Sequence, residues 1–183
     1  MVWVIVLVVI VVLLVIFSIL AYNGLIQLKN RVDAAWAQIE VQLKRRADQI
    51  PNLIETVKGY AAHEKSTFDM VVQARSASVA ASGPAQQAAA ENQLTGALRQ
   101  LFALSEAYPD LKADSSFLAL QEEITATEGR IAYARQAYND DVKSLNTKRE
   151  QFPSMIFARM MGLQPREYFE AEPEARVVPK VQF

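Results

Sequence analysis

No charged side chain precedes Lys29, and residues 2–21 read VWVIVLVVIVVLLVIFSILA, with one hydroxyl among them. A helix of that length rises about 30 Å, the thickness of a bilayer's hydrocarbon core. Whatever follows Tyr22 is therefore expected to be a domain held at a membrane surface. A cleaved signal peptide would call for a basic stretch before the run, a shorter apolar core and a small-x-small cleavage site. Here no Lys or Arg comes first, the run is long, and Tyr22-Asn23 follows without such a site. Residues 1–23 are expected to stay as an anchor, with lipid around residues 2–21 and with Trp3 and Tyr22 at headgroup level.

Lys29 and Arg31 flank the run on its C-terminal side, and Lys44, Arg45 and Arg46 follow. The positive-inside rule places that side in the cytoplasm, with a periplasmic or extracellular face as the alternative. The chain has no cysteine, which either compartment permits. A net charge of −1 gives no basic face for nucleic acid.

Roughly 160 residues remain, enough for one domain with a real core. Glycine and proline punctuate this part of the chain, at Ser82-Gly83-Pro84, Tyr108-Pro109-Asp110 and Phe152-Pro153. Between the breaks lie stretches rich in Ala, Leu, Gln, Glu and Arg, all good helix formers, and no run shows strand alternation.

Apolar spacing carries the prediction further. Val32, Ile39, Arg46, Leu53, Tyr60 and Thr67 recur every seven residues, and Trp36, Leu43, Ile50, Val57, Glu64 and Val71 form a second row beside them. The two rows make the seam of a packed bundle. Their phase runs through Pro51, which deletes a bond to the Ala47 carbonyl and bends a helix. The pattern predicts one long, kinked helix over 25–80, with two helices as the alternative. Leu94, Leu98, Leu101 and Leu104 predict a helix over about 85–107. Phe117, Ile124, Ile131, Tyr138, Leu145 and Phe152 predict another over about 114–149, with cap candidates at 114–116. A short helix near 154–161 follows Pro153. Short connections imply antiparallel neighbours. The expected fold is all-α: an N-terminal transmembrane helix, then an elongated antiparallel, four-helix-type bundle over 24–163, then an irregular tail over 164–183 packing back on it.

Charged residues interrupt these seams. Arg46 and Glu64 lie in the first, Glu128 and Arg135 lie on a row beside the second, and Glu106 closes the middle helix. A core charge is costly unless paired, so Arg46, Glu64, Glu106, Glu128 and Arg135 are the candidate buried polar network. Such a network can fix helix register; the alternative is a polar pocket for a ligand or an ion.

Longer words of the sequence carry a resemblance. YNGLIQLKNRVDAAWAQIEVQLKRRADQIPNLIETVKGYAAHE (22–64), EAYPDLKA (106–113), TEGRIAYARQAYND (127–140), FPSMIFARMMGL (152–163) and PREYF (165–169) resemble the LemA family of bacterial membrane proteins. The resemblance covers nearly the whole chain from Tyr22 on. It implies a single membrane helix, here at the bacterial inner membrane, a helical antiparallel bundle, and no established enzymatic activity. Gln49 departs from the family's commoner Leu, at a position that reads as exposed.

Catalytic motifs are not found. His63-Glu64 begins like HExxH, but Thr67 stands where the second histidine would be, and His63 is the only histidine. No Glu-x-x-His pair, P-loop, dinucleotide motif or G-x-S-x-G occurs. No metal, cofactor or small-molecule substrate is expected, and no enzyme. Two segments look like surfaces. The tail carries Tyr168, Phe169, Val177, Val178, Val181 and Phe183, expected to pack on the bundle. Phe157, Met160 and Met161, flanked by Arg159 and Arg166, could touch lipid headgroups or cap the bundle's end. The expected role is interaction: a scaffold, adaptor or sensor with protein partners or as a homo-oligomer. The alternative is a ligand-binding or enzymatic role at the polar cluster.

Overall fold

The computed structural model describes residues 1–169. Among them are helices α1 (Val2–Lys58), α2 (Lys65–Ala80), α3 (Pro84–Leu104), α4 (Pro109–Lys112), α5 (Ser115–Glu150) and α6 (Ser154–Met160), with a 3₁₀ turn at Ser105–Ala107 and no strand.

Helix α1 carries the apolar run and continues unbroken past it, through Pro51. It is the one helix among the described residues long and apolar enough to cross a membrane. Proline has no N–H, so the Ala47 carbonyl loses its helical donor. Arg75 of α2 replaces it: its Nε–H donates to the Ala47 oxygen at 2.7 Å.

The single helix expected over 25–80 ends at Lys58, and the two-helix alternative is the one observed. Gly59, a poor helix former, follows the last residue. The Tyr60 and Ala61 N–H groups close on the Val57 carbonyl, at 3.1 and 2.9 Å, and the chain turns before Lys65. Ala61 is buried in this corner while Tyr60, on the extrapolated seam, is exposed. The apolar row held its phase across the break by coincidence. Helices α3, α5 and α6 lie where the spacing predicts them. Asp114 caps α5, its Oδ1 accepting from the Phe117 N–H at 2.8 Å. Phe152, the last member of the second seam, is 78% exposed rather than packed, because α5 ends at Glu150.

The described chain divides into two compact units, residues 1–37 with 136–167, and residues 38–135 with 168–169. In the second, the rest of α1, α2, α3 and the start of α5 form a four-helix arrangement. Arg45 pairs with Glu123, and Tyr60 bonds Asp114, so α1 and α5 run antiparallel. Ala47 meets Arg75 and Lys58 lies over the Phe68 ring, so α1 and α2 are antiparallel as well. The core is built from Ile50, Leu53, Val57, Phe68, Val71, Leu94, Leu98, Leu101, Phe117 and Ile124. Full burial of each such side chain contributes about 1.5–3 kcal/mol before entropy is counted.

In the first unit α1 and α5 are also antiparallel. Arg31 pairs with Asp141 at 2.7 Å, and the Trp36 and Tyr138 rings lie 5.5 Å apart. Leu25, Val32, Tyr138, Val142 and Leu145 are buried. After α6 the chain is held along α5. Asn146 donates to the Arg166 carbonyl and accepts from the Arg166 N–H, both at 2.9 Å, and the Tyr138 hydroxyl donates to the Glu167 carbonyl at 2.8 Å. Of the tail's apolar residues, Phe169 is buried and Tyr168 is exposed; the expectations for Val177, Val178, Val181 and Phe183 lie outside the described residues.

Candidate functional site

The densest group of buried polar side chains lies in the 38–135 unit and centres on Arg46. The seam of α1 turns Arg46 inward between Leu43 and Ile50, and its side chain is 1% exposed. One guanidinium nitrogen, Nη2, donates to Glu91 Oε2 of α3, and the other, Nη1, donates to Glu128 Oε1 of α5. Nη1 also reaches Thr95 Oγ1 at 3.2 Å, and that hydroxyl donates to Glu128 at 3.3 Å. Glu91 Oε1 accepts from the Ser78 hydroxyl and from Gln87 Nε2, the latter at 2.8 Å. Gln87 Nε2 also donates to the Ser78 carbonyl at 3.1 Å. Four helices thus meet through one arginine and two carboxylates.

Burial holds the Arg46 guanidinium below its ordinary range, while Glu128 acts in the opposite direction by charge and hydrogen bond. An arginine remains protonated through such a shift. The cluster carries one more formal negative charge than positive, and the neutral donors Ser78, Gln87 and Thr95 absorb it. Glu91 is spent on three donors. Arg46 Nε is buried without a hydrogen-bond partner among the described residues. The arrangement cross-links helices: each carboxylate accepts from a hydroxyl, Ser78 or Thr95, and each is at the same time held by the Arg46 guanidinium.

Of the five residues singled out by sequence, Arg46 and Glu128 meet here. The other three do not join them. Glu64 accepts from the Tyr108 hydroxyl at 3.2 Å, at the corner between α1 and α2. Glu106 is exposed and pairs with Lys112. Arg135 lies over the Phe169 ring, 5.7 Å from its centre. Glu91 was missed, with Ser78, Gln87 and Thr95. A signal existed, because Gln87, Glu91, Leu94, Leu98 and Leu101 continue one stripe at 3–4 spacing, so Glu91 shares the inward face of α3. Gln49, read as exposed, is half-buried, and its Oε1 is buried without a partner among the described residues. His63 is exposed, and no group of three or more His, Asp or Glu side chains is placed to hold a metal among the described residues.

A second polar constellation caps α5. Asp114 accepts from the Phe117 N–H and from the Tyr60 hydroxyl at 2.9 Å. The Phe117 N–H and then the Tyr60 hydroxyl hold its carboxyl below the usual range.

The family model for the LemA family matches residues 35–183. The chain belongs to the LemA family. Among LemA relatives, the Protein LemA of Metamycoplasma hominis is 28% identical over 159 residues, covering 85% of this chain and 71% of that protein. Magnetosome protein MamQ 2 of Paramagnetospirillum magneticum is 24% identical over 181 residues, covering 85% of this chain and 66% of its own length. Magnetosome protein MamQ of Magnetospirillum gryphiswaldense is similar to the same degree, 24% over 181 residues. The chain thus spans just under two thirds of the magnetosome relatives. As a LemA protein with a long apolar N-terminal helix, it is a membrane protein with a helical bundle, and nothing in its sites indicates catalysis.

Proposed function

We propose that this LemA protein is a membrane-anchored interaction module, a scaffold, adaptor or sensor at the bacterial inner membrane. Its bundle faces the cytoplasm on this reading, because Lys29 and Arg31 follow the apolar run. One observation carries the reading. The charged residues in the bundle core, which in an enzyme would be the reactive groups, are paired with one another across three helices around a fully buried Arg46, and Ser78 ties in the fourth. Charges paired across helices in this way serve the packing of the bundle and leave the outer faces to do the work. Its likeness to magnetosome proteins supports a membrane-associated role.

The rival is a ligand-binding or enzymatic role at the same cluster, where the Glu128 side chain is 34% exposed and gives an edge toward solvent. Crosslinking in native membranes followed by recovery of the full chain separates the two. An interaction module yields discrete adducts, with a protein partner or a second copy, and keeps them when Glu128→Gln is introduced. A chain that forms no adducts and loses its cellular role on Glu128→Gln while remaining folded is not a scaffold.

A further inference from the structure

Helix α6 is packed inside out. Ser154 and Ala158, one turn apart, are buried at 4% and 1% exposure, whereas Ile156 and Met160 are 47% and 80% exposed. Residues two apart on a helix point about 200° apart, so the small side chains face inward and Ile156 and Met160 face out, with Met155 and Phe157 half-buried between the two faces. Phe152, a further four residues back, is exposed as well. A helix on a water-facing surface has the opposite pattern. Arg159 is exposed between the two apolar positions.

The place of α6 along α1 supplies the occupant. Ala21 and Leu25 are the first buried residues of α1, so protein begins to cover the helix where its apolar run ends, without a spacer. The headgroup layer adds about 5–7 Å beyond the hydrocarbon on each side, four or five residues of helix. That layer corresponds to the stretch from Tyr22 to Ile26. A cavity of about 500 Å³ is lined there by Tyr22, Ile26 and Lys29 of α1 and by residues 161–166, which follow α6 directly. The chain after α6 is pinned to α5 by the Asn146 bonds to Arg166 and by Arg149 Nε, which donates to the Leu163 carbonyl at 2.8 Å. The chain that leaves α6 is thereby fixed beside the 22–29 stretch of α1, on a rigid support.

We propose that α6 is a second membrane contact. Phe152, Ile156 and Met160 enter the boundary between headgroups and acyl chains, while Lys29 and Arg159 face the phosphates of anionic phospholipids. The proposal rests on residues 2–21 spanning the bilayer and is independent of the scaffold reading. Its physical consequence is that the 1–37 and 136–167 unit lies against the bilayer and does not swing on a bare stalk.

The chain contains no cysteine, so an introduced one reports a single position. Full-length Met160→Cys, and Ile156→Cys as a second position, are labelled with an environment-sensitive fluorophore in phosphatidylcholine vesicles with and without phosphatidylglycerol. Tyr133→Cys, at a side chain 77% exposed, is the water-facing reference. Both α6 labels should shift to the blue and be quenched several-fold more than the reference by lipids carrying a spin label near the headgroup, most strongly with phosphatidylglycerol present. Labels at 156 and 160 as wet as the reference overturn the proposal. Labels shielded without lipid quenching also overturn it, since a protein surface then covers the stripe. Equal quenching with and without phosphatidylglycerol overturns the assignment to anionic headgroups.

Discussion

The Nε–H of Arg75 donates to the carbonyl of Ala47 at 2.7 Å, and that carbonyl is the one Pro51 leaves without a helical donor. A defect in α1 is thus repaired from α2, and the repair ties the two helices together where the proline would otherwise bend or break the first. Arg75→Met should cost about 1–3 kcal/mol, the penalty of a partly buried acceptor left unpaired. Pro51→Ala restores the helical N–H, so Arg75→Met should cost less in that background. Chemical denaturation of the four proteins of the cycle measures the coupling; a coupling of zero means the bond does not stabilise α1.

Arg46 should be the most sensitive polar position of the bundle. Removing it leaves Glu91, whose side chain is 6% exposed, as a buried charge without its cation. Arg46→Met is expected to cost on the order of 3–5 kcal/mol, and replacement of Arg46, Glu91 and Glu128 together by apolar residues should cost much less. Thermal unfolding of the full chain in nanodiscs checks the order. A triple variant less stable than Arg46→Met would contradict it.

The cap of α5 should respond to acid. Its carboxyl, Asp114, is held below the ordinary range by the Phe117 N–H and the Tyr60 hydroxyl, so the folded state favours the ionised form. The stability it contributes is present above the unfolded value of about 3.9 and is lost as pH falls through the lower folded value. The difference in denaturation midpoint between wild type and Asp114→Asn should be constant near neutrality and shrink below about pH 4. A difference that does not change with pH would separate the cap from the charge.

How much of this was legible in the sequence depended on whether a buried position was apolar. Val32 to Val57 and Phe117 to Leu145 announce their helices by spacing, and those residues are buried except Trp36, which is half-buried beside Tyr138. The reversal at Gly59 was hidden because Tyr60, Glu64 and Thr67 prolong the row although Tyr60 faces solvent and the other two are half-buried. Within the site, Arg46 and Glu128 stand out as charges in or beside apolar rows. Glu91 does not, because it extends a row of leucines at its polar end. Partner choice is a matter of three-dimensional reach: Arg46 finds Glu91 and Glu128, while Glu64 finds Tyr108 and Arg135 finds Phe169. Spacing along one helix carries none of that.

The proposed topology can be tested directly. Lys29 and Arg31 are the first charges after the apolar run, and the proposed cytoplasmic bundle rests on the positive-inside rule. Alkaline phosphatase, which is active only outside the cytoplasm, should be silent when fused after Phe183, and a fluorescent reporter that folds only in the cytoplasm should be bright. The reverse pattern would place the bundle on the other face.

The central claim is that the buried charges serve helix packing and not chemistry, and that the bundle's surfaces carry the function. The most direct measurement is crosslinking in native membranes of a chain in which Arg46, Glu91 and Glu128 are all replaced by apolar residues, with helicity and unfolding checked on the same material. The account predicts that this variant folds and gives the same crosslinked species as wild type. A folded variant that has lost those species, or that keeps them while the cell loses the protein's function, would contradict it and assign the work to the cluster itself.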